Sequence, residues 1–223
     1  MPLIFKDALA WAKSRSVVLP EEFEQLPEEL KRKAFTIAGV TSRDQLQFIL
    51  DSLIAILEEG LSYEAWKARV LNGVIKVDLP EYRLDTILRT NMQIHYNRGH
   101  WVRQQRNKRI APYLQFSAVN DSRTRPSHAA LHGVIKHIDD PFWETHYPPL
   151  GFNCRCLAIA RMEKDVEEAG GVTPEPPNGW PGPDEGWEHN YGADPDASLR
   201  QSLEQKPGGS SHLQRALRIK LQT

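Results

Sequence analysis

Four of the eight histidines, His128, His132, His137 and His146, stand directly ahead of the only two cysteines, Cys154 and Cys156. Imidazole nitrogen and thiolate sulfur are the donors zinc prefers, about four of them in a tetrahedron. His128 and His132 are four apart, so on a helix both rings leave one face. Cys154 and Cys156 are two apart, so on a strand both point to one side. Two histidines from a helix and two cysteines from a strand would close a site, which makes His128, His132, Cys154 and Cys156 the candidate ligands. His137 and His146 are substitutes for His132. The competing reading is that all of these are ordinary polar and core residues, because one Cys-x-Cys is a weaker signal than two Cys-x-x-Cys knuckles. A disulfide between positions i and i+2 is strained, so the cysteines are not a disulfide framework. The His128/His132 spacing is that of a zincin helix, but Ala129-Ala130-Leu131 lies between them. Without a glutamate to activate water, zinc here is expected to be structural.

A second concentration of chemistry is electrostatic. Arg83, Arg89, Arg98, Arg103, Arg106, Lys108 and Arg109 face only Asp85 in the same stretch, within a chain of net charge -1. Such a segment suits phosphate backbones, and Arg98, Arg103, Arg106, Lys108 and Arg109 are the candidate nucleic-acid contacts. No base-reading motif accompanies them, so the contact would be non-specific. The alternative is a solvated face neutralised in the fold by acidic neighbours such as Glu58 and Glu59. Asp121 and Arg123 are either an acid and a phosphate-binding base, or a turn and the ion pair that fixes it. The turn reading is preferred.

The elements that must position these residues are legible as periods. Up to about residue 110 the chain reads as helices. Pro20-Glu21-Glu22 suits a helix opening. Ser42 with Gln45 makes a capping box ahead of Leu46, Ile49, Leu50, Leu53, Ile54 and Leu57, and Gly60 supplies a stop. A shorter helix is expected from Ser62 to about Leu71 with Trp66 and Val70 inward. A longer one starts near Pro80 and reaches toward Lys108, with Leu84, Ile87, Leu88, Met92 and Tyr96 inward and Gly99 a point of interruption. Beyond Ile110, residues 113–119, 134–138 and 155–160 have strand propensity. Between the first two, Thr124 can cap a two-turn helix that carries Pro126 in its first turn and ends at Gly133. From Gly170 to Trp187 prolines and glycines predict an extended arm, with Trp180 and Trp187, that is mobile in the isolated chain and docks on a partner or on the protein's own body in the assembly. Leu213, Leu217, Ile219 and Leu221 beside Arg215, Arg218 and Lys220 suggest a short basic helix. The fold class is therefore α+β: a helical region over 1–110, a small mixed α/β module over 111–163 that zinc could staple, and an arm with a basic tail over 164–223.

The bulk numbers bound the function. A chain of 223 residues with 40% hydrophobic and 26% charged residues can bury a sizeable core. Its mean hydropathy of -0.53 leans polar. No apolar run approaches the roughly 18 residues of a membrane span, and the N-terminus does not have the pattern of a signal peptide, so no membrane partner is expected.

The ordered blocks Asp121-Ser122-Arg123-Thr124-Arg125-Pro126-Ser127-His128, Leu131-His132-Gly133, Asp139-Asp140-Pro141-Phe142-Trp143, Tyr147-Pro148-Pro149 and Asn153-Cys154-Arg155-Cys156 resemble the Mu F-like domain of phage minor head proteins. The run from Lys33 to Val40 and the helix after it are similar too, so the resemblance covers roughly residues 30–160. It implies a virion protein of few copies, assembled in the bacterial cytoplasm, that works in head morphogenesis and DNA packaging beside the portal, the major capsid protein and packaged DNA. It implies no enzyme. Relatives often have Cys-x-x-Cys where this chain has Arg125 and His128, which supports a zinc knuckle of His128, Cys154 and Cys156 and leaves the fourth ligand open. The alternative is a zinc-dependent HNH-like nuclease using His128 or His132 with Asp121 and Asn153, or a phage-associated toxin. The stretch after Met162 carries no catalytic-looking cluster that would favour either.

Overall fold

The computed structural model describes residues 6–193. The basic helix expected around residues 213–221 lies outside them. The order of elements is α1 (Lys6–Ser14), β1 (Ser16–Val17), α2 (Pro20–Phe23), α3 (Glu28–Lys31), β2 (Ala34–Phe35), α4 (Arg43–Glu59), α5 (Tyr63–Leu71), α6 (Glu81–Asn107), β3 (Tyr113–Ser117), α7 (Pro126–Ala130), β4 (Ile135–His137), α8 (Phe142–His146), β5 (Leu157–Arg161) and α9 (Glu163–Glu168). The class is α+β. Helices fill the first part, and a three-stranded antiparallel sheet of order β4-β3-β5 organises the second.

The helices form where capping and period coincide. The Ser42 hydroxyl accepts from the Gln45 N–H, and Gly60 ends α4 in the left-handed region at φ 69. The reciprocal half of the capping box is missing, because the Gln45 side chain donates to the Lys76 carbonyl instead. Leu46, Ile49, Leu50 and Leu53 bury one stripe of α4 against Trp66, Val70, Leu84 and Leu88. Inside this core the Trp66 indole donates to the Ser52 hydroxyl at 2.9 Å, so α5 is fixed in register on α4. Sequence pattern does not announce the parallel pair β1–β2, in which Ser16 lies opposite Ala34 and Val17 opposite Phe35. Two residues per strand are too few to carry an alternation. Arg15 locks that pair to the helices by donating to Asn91 Oδ1 (2.6 Å) and the Ala34 carbonyl (2.8 Å).

Helix α6 runs unbroken through Gly99, which is buried, so the expected interruption does not occur. Tyr96 faces outward at 39% exposure, and Ile94 and His95 take the inward positions. A second core gathers Leu114, Phe116, Leu131, Trp143, Tyr147 and Leu150 with both cysteines. Trp101 of α6 packs edge-on against Tyr147 at 4.8 Å.

The joint between α6 and the sheet is polar and tightly satisfied. Strand β5 pairs with β3 on one side only, so its other edge would leave carbonyls unpaired. Helix α6 covers this edge: Gln104 donates to the Ala158 carbonyl (2.7 Å), and just ahead of the strand Gln93 and Asn97 donate to that of Cys156 (2.8 and 3.5 Å). Gln104 also accepts from the Tyr147 hydroxyl at 2.9 Å, so both ends of its amide are used in the interior. Gln104→Ala should lower stability by about 1–3 kcal/mol, because it leaves the buried Ala158 carbonyl without its donor and the Tyr147 hydroxyl with only the Asn97 carbonyl at 3.3 Å. In a chemical-denaturation cycle with Tyr147→Phe the two losses should fall short of additive.

His95 is fully buried, and neither ring nitrogen has a hydrogen-bond partner. Burial, with the Arg15 charge nearby, lowers its pKa from 6.5 to about 3. As pH falls, the unfolded chain therefore takes up this proton before the folded one does. Stability is complete above about pH 6.5 and is lost between there and about pH 3, by on the order of 1 kcal/mol per pH unit. Denaturation of His95→Leu across that window should show a shallower acid loss than the parent, and parallel curves would refute the assignment.

Candidate metal centre

The structure brings His128, Cys154 and Cys156 together and leaves His132 out. The three donor atoms lie within 4.8 Å of one another, and all three residues are buried. His128 Nδ1 is 3.7 Å from each sulfur, a separation that one tetrahedral zinc with bonds of about 2.0–2.3 Å spans. Among the described residues no fourth side chain joins the group.

Each half of the site has a local cause. Proline at the first position of α7, behind Arg125 as N-cap, fixes the turn that presents His128. Thr124 does not cap this helix. Its hydroxyl donates to Asp121 Oδ1 at 3.2 Å, and the Arg123 N–H donates to the same oxygen. Asp121 thus closes a turn, in keeping with the preferred reading. The helix ends at Ala130, short of the two turns expected, so the four-residue spacing no longer places His132 beside His128. His132 is exposed, and its Nδ1 accepts from the Ala118 N–H at 3.1 Å. The substitutes lie elsewhere too: His137 Nδ1 accepts from the Asp139 N–H, and His146 stacks on Phe142 at 4.5 Å beside the Thr145 hydroxyl.

The cysteines are not on the strand, which begins at Leu157. They sit on the loop leading into it, turned by Asn153 at φ 56, a conformation asparagine tolerates. That loop is pinned to α6, where Thr90 and Thr86 accept from the Asn153 backbone and side-chain amides at 3.2 and 3.4 Å. Arg155 then bridges the two halves with a two-pronged contact to Asp121 at 2.7 and 2.5 Å. That pairing holds the Asp121 carboxyl well below the usual range. Cys156 and His128 lower the Cys154 thiol below its ordinary range, while Cys154 and burial push that of Cys156 up.

The donor set fits zinc or another borderline-soft divalent ion. Two cysteine sulfurs and one imidazole are prearranged, and they line a pocket together with Arg123, Arg125, Arg155 and Asn153.

Sequence reasoning missed two groups here. One is the α6 row Thr86, Thr90, Gln93, Asn97 and Gln104, whose helical spacing of polar side chains was its signal. The other is Asp184, which lies 3.9 Å from His128 Nε2 and 3.2 Å from Arg125. Nothing in the local sequence ties it to this site. Asp184 belongs to the segment expected to be an arm that docks on a partner or on the protein's own body, and here it packs on the body. Thr173 exchanges hydrogen bonds with Ile135 of β4, Trp180 meets Phe142 at 5.5 Å, and Trp187, 5% exposed, lies edge-on to Phe152. The aromatic side chains thus find partners within the chain itself.

The basic candidates on α6 are largely engaged. Arg98 lies over Trp11 at 5.0 Å and donates to the Gly192 carbonyl. Arg106 grips Asp7 with two hydrogen bonds (2.9 and 3.0 Å), and Lys108 reaches Asp139 at 3.1 Å. Arg103 and Arg109 are exposed. Glu58 and Glu59, suggested as neutralising groups, pair with Lys13 and Arg69 instead.

Comparison with known proteins agrees with the resemblance. The family described as Phage Mu protein F like protein matches residues 47–159, half of the chain. Protein F of Escherichia phage Mu, named for capsid assembly, is 31% identical over 183 residues, 71% of this chain and 42% of its own length. The Mu-like prophage FluMu F protein of Haemophilus influenzae is 39% identical over 164 residues, 66% of this chain and 39% of its own. The chain thus spans about two-fifths of the length of these relatives. No solved structure matches it.

If the three donors hold zinc, purified protein should carry about one equivalent, and chelation should lower its melting temperature. Cys154→Ser and Cys156→Ser should each abolish tight binding, whereas His132→Ala should leave it intact. A folded, metal-free parent by elemental analysis would sink the site.

Proposed function

Because this chain belongs to the Phage Mu protein F like family, we propose that it acts in assembly of a phage head, as a minor head protein beside the portal and the inner face of the capsid. The observation that carries this reading is the ordered block from Asp121 to Cys156, which lies within the family match and folds around the second core. Its work is structural rather than enzymatic: zinc, held by His128, Cys154 and Cys156, staples the small module. Zinc would supply cross-linking there. The chain's own residues supply the frame: α7 presents the imidazole, Asn153 turns the cysteine loop, and Asp121 with Arg155 keeps the two apart at a fixed distance. Asp121 and Asn153, which a nuclease reading would recruit, are committed to that frame, which disfavours an HNH-like reaction. We place the virion as its destination and the bacterial cytoplasm as the place of assembly.

Co-expression with the portal and major capsid proteins of the same phage tests the reading. The protein should sediment with immature particles and be retained by immobilised portal. Normal yields of infectious heads from a phage lacking it would overturn the proposal. DNA contact is its finer part, supported by exposed Arg103, Arg106, Lys108 and Arg109 at the end of α6. Binding to duplex DNA should be weak and fall steeply with salt. Replacing Arg103, Arg106 and Arg109 with Gln should reduce the salt slope by about one for each phosphate that is no longer neutralised. Absence of salt-sensitive binding by the parent at low ionic strength would remove DNA from the partners of this protein.

A further inference from the structure

The segment after α9 is built into the Cys/His cluster at one point, Asp184. Its backbone N–H donates to the Leu150 carbonyl (2.9 Å), and its own carbonyl accepts from the Trp187 N–H (3.0 Å). One carboxylate oxygen takes the Arg125 guanidinium at 3.2 Å, and the other lies 3.9 Å from His128 Nε2. Room for this carboxylate is made by Gly151, where any Cβ would collide with it. Arg125 is itself fixed on this loop by donating to the Phe152 carbonyl at 3.0 Å.

His128 presents Nδ1 to both sulfurs, so the opposite nitrogen, Nε2, points away from the metal position. That Nε2 is buried and has no hydrogen-bond partner. A buried ring nitrogen of this kind costs stability unless it is satisfied. The partly exposed carboxylate of Asp184 lies 3.9 Å from Nε2, just beyond hydrogen-bond reach. Metal-bound histidines characteristically donate their second N–H to a carboxylate, which fixes the tautomer and strengthens the ligand.

We propose that Asp184 is the outer-sphere carboxylate of this metal site, so that metal binding and the docking of residues 170–193 onto the body are coupled. The proposal rests on the zinc reading above. Zinc on Nδ1 fixes the proton on Nε2, that proton attracts Asp184, and Asp184 draws the segment carrying Trp180 and Trp187 against Phe142 and Phe152. By linkage, loss of the ion loosens the segment, and loss of the carboxylate weakens the ion. Asp184 is a positioning residue and not a ligand. Arg125 takes its second carboxylate oxygen and orients the first toward the ring.

The experiment uses the full chain, loaded with zinc, as the parent, as Asp184→Asn and as the control Glu175→Gln on the same segment. Zinc affinity is measured by competition with a chromophoric chelator. The segment is followed by limited proteolysis with and without metal. Asp184→Asn should weaken zinc roughly 10–100-fold while the control matches the parent. The parent's segment should become cleavable when zinc is removed, and that of Asp184→Asn should be cleavable even when loaded. Long-range proton–nitrogen correlation of His128 supplies a reading that general destabilisation would not move. It should show Nδ1 metallated and Nε2 protonated, with the Nε2 proton exchanging faster in Asp184→Asn. Unchanged affinity in Asp184→Asn, metallation at Nε2, or cleavage that ignores zinc would each overturn the proposal. A parent that takes up no zinc overturns the metal site itself, and the coupling with it.

Discussion

The free edge of β5 is the constraint around which the rest of the molecule is arranged. A three-stranded sheet with a single helix of support must satisfy its outward carbonyls somewhere. Here those of Cys156 and Ala158 are met by amide side chains from one face of α6. The same face, two turns earlier, receives Asn153 on Thr86 and Thr90. One row of polar residues on a 27-residue helix therefore sets the path of the chain from 153 to 158. Because both cysteines lie on that path, the helix also sets where their sulfurs point. The first half of the chain positions the chemistry of the second.

What α6 does for the cysteine loop, Asp121 does for the histidine. The turn at 120–124 has no sheet hydrogen bonds to hold it, and its order comes from one carboxylate serving a backbone N–H, a hydroxyl and a guanidinium. The pair Asp121–Arg155 is about one-third exposed on each side, so its worth lies in geometry more than in bulk stability. A module with strands of three to five residues and helices of five has few interior contacts to spare. A cation binding three side chains from a short helix and a separate loop would cross-link what the short elements hold weakly.

Legibility in the sequence follows the length of each element. Helix α4 can be read from its cap, stripe and stop, because seventeen residues give the period room to repeat. The strands of the second part can be located to within two or three residues. Elements of two to five residues cannot: the β1–β2 pair leaves no pattern, and the capping signals overextend α7 by a turn. That one turn decides the fate of His132, since a spacing of four means a shared face only while the helix continues. The cluster of His128 with Cys154 and Cys156 is legible because all three belong to one contiguous block. The contribution of Asp184 is not, because it is set by where the chain returns after α9, and no local rule encodes that return. Proline and glycine content alone makes the segment from 170 to 187 look mobile. Composition describes its backbone correctly, as extended and turn-rich, but not its anchors, which are two tryptophans and a threonine with partners far away in sequence.

The charge on α6 illustrates why a run of like residues is weak evidence for a partner until the fold is known. Read along the chain, seven basic side chains face a single acid. In three dimensions Asp7 and Asp139 arrive from elements before and after the helix, and Arg98 spends its charge on an indole face and a carbonyl near the end of the described segment. These contacts make the arginines part of the wrapping. Arg106 ties α6 to the first helix, Lys108 ties it to the β4–α8 turn, and Arg98 ties it to the chain at Gly192. A surface of this kind offers acidic groups on a protein partner a place to exchange for Asp7 or Asp139, one pair for another at small net cost. A DNA backbone would instead have to compete with both carboxylates at once, an exchange favoured only where salt is low.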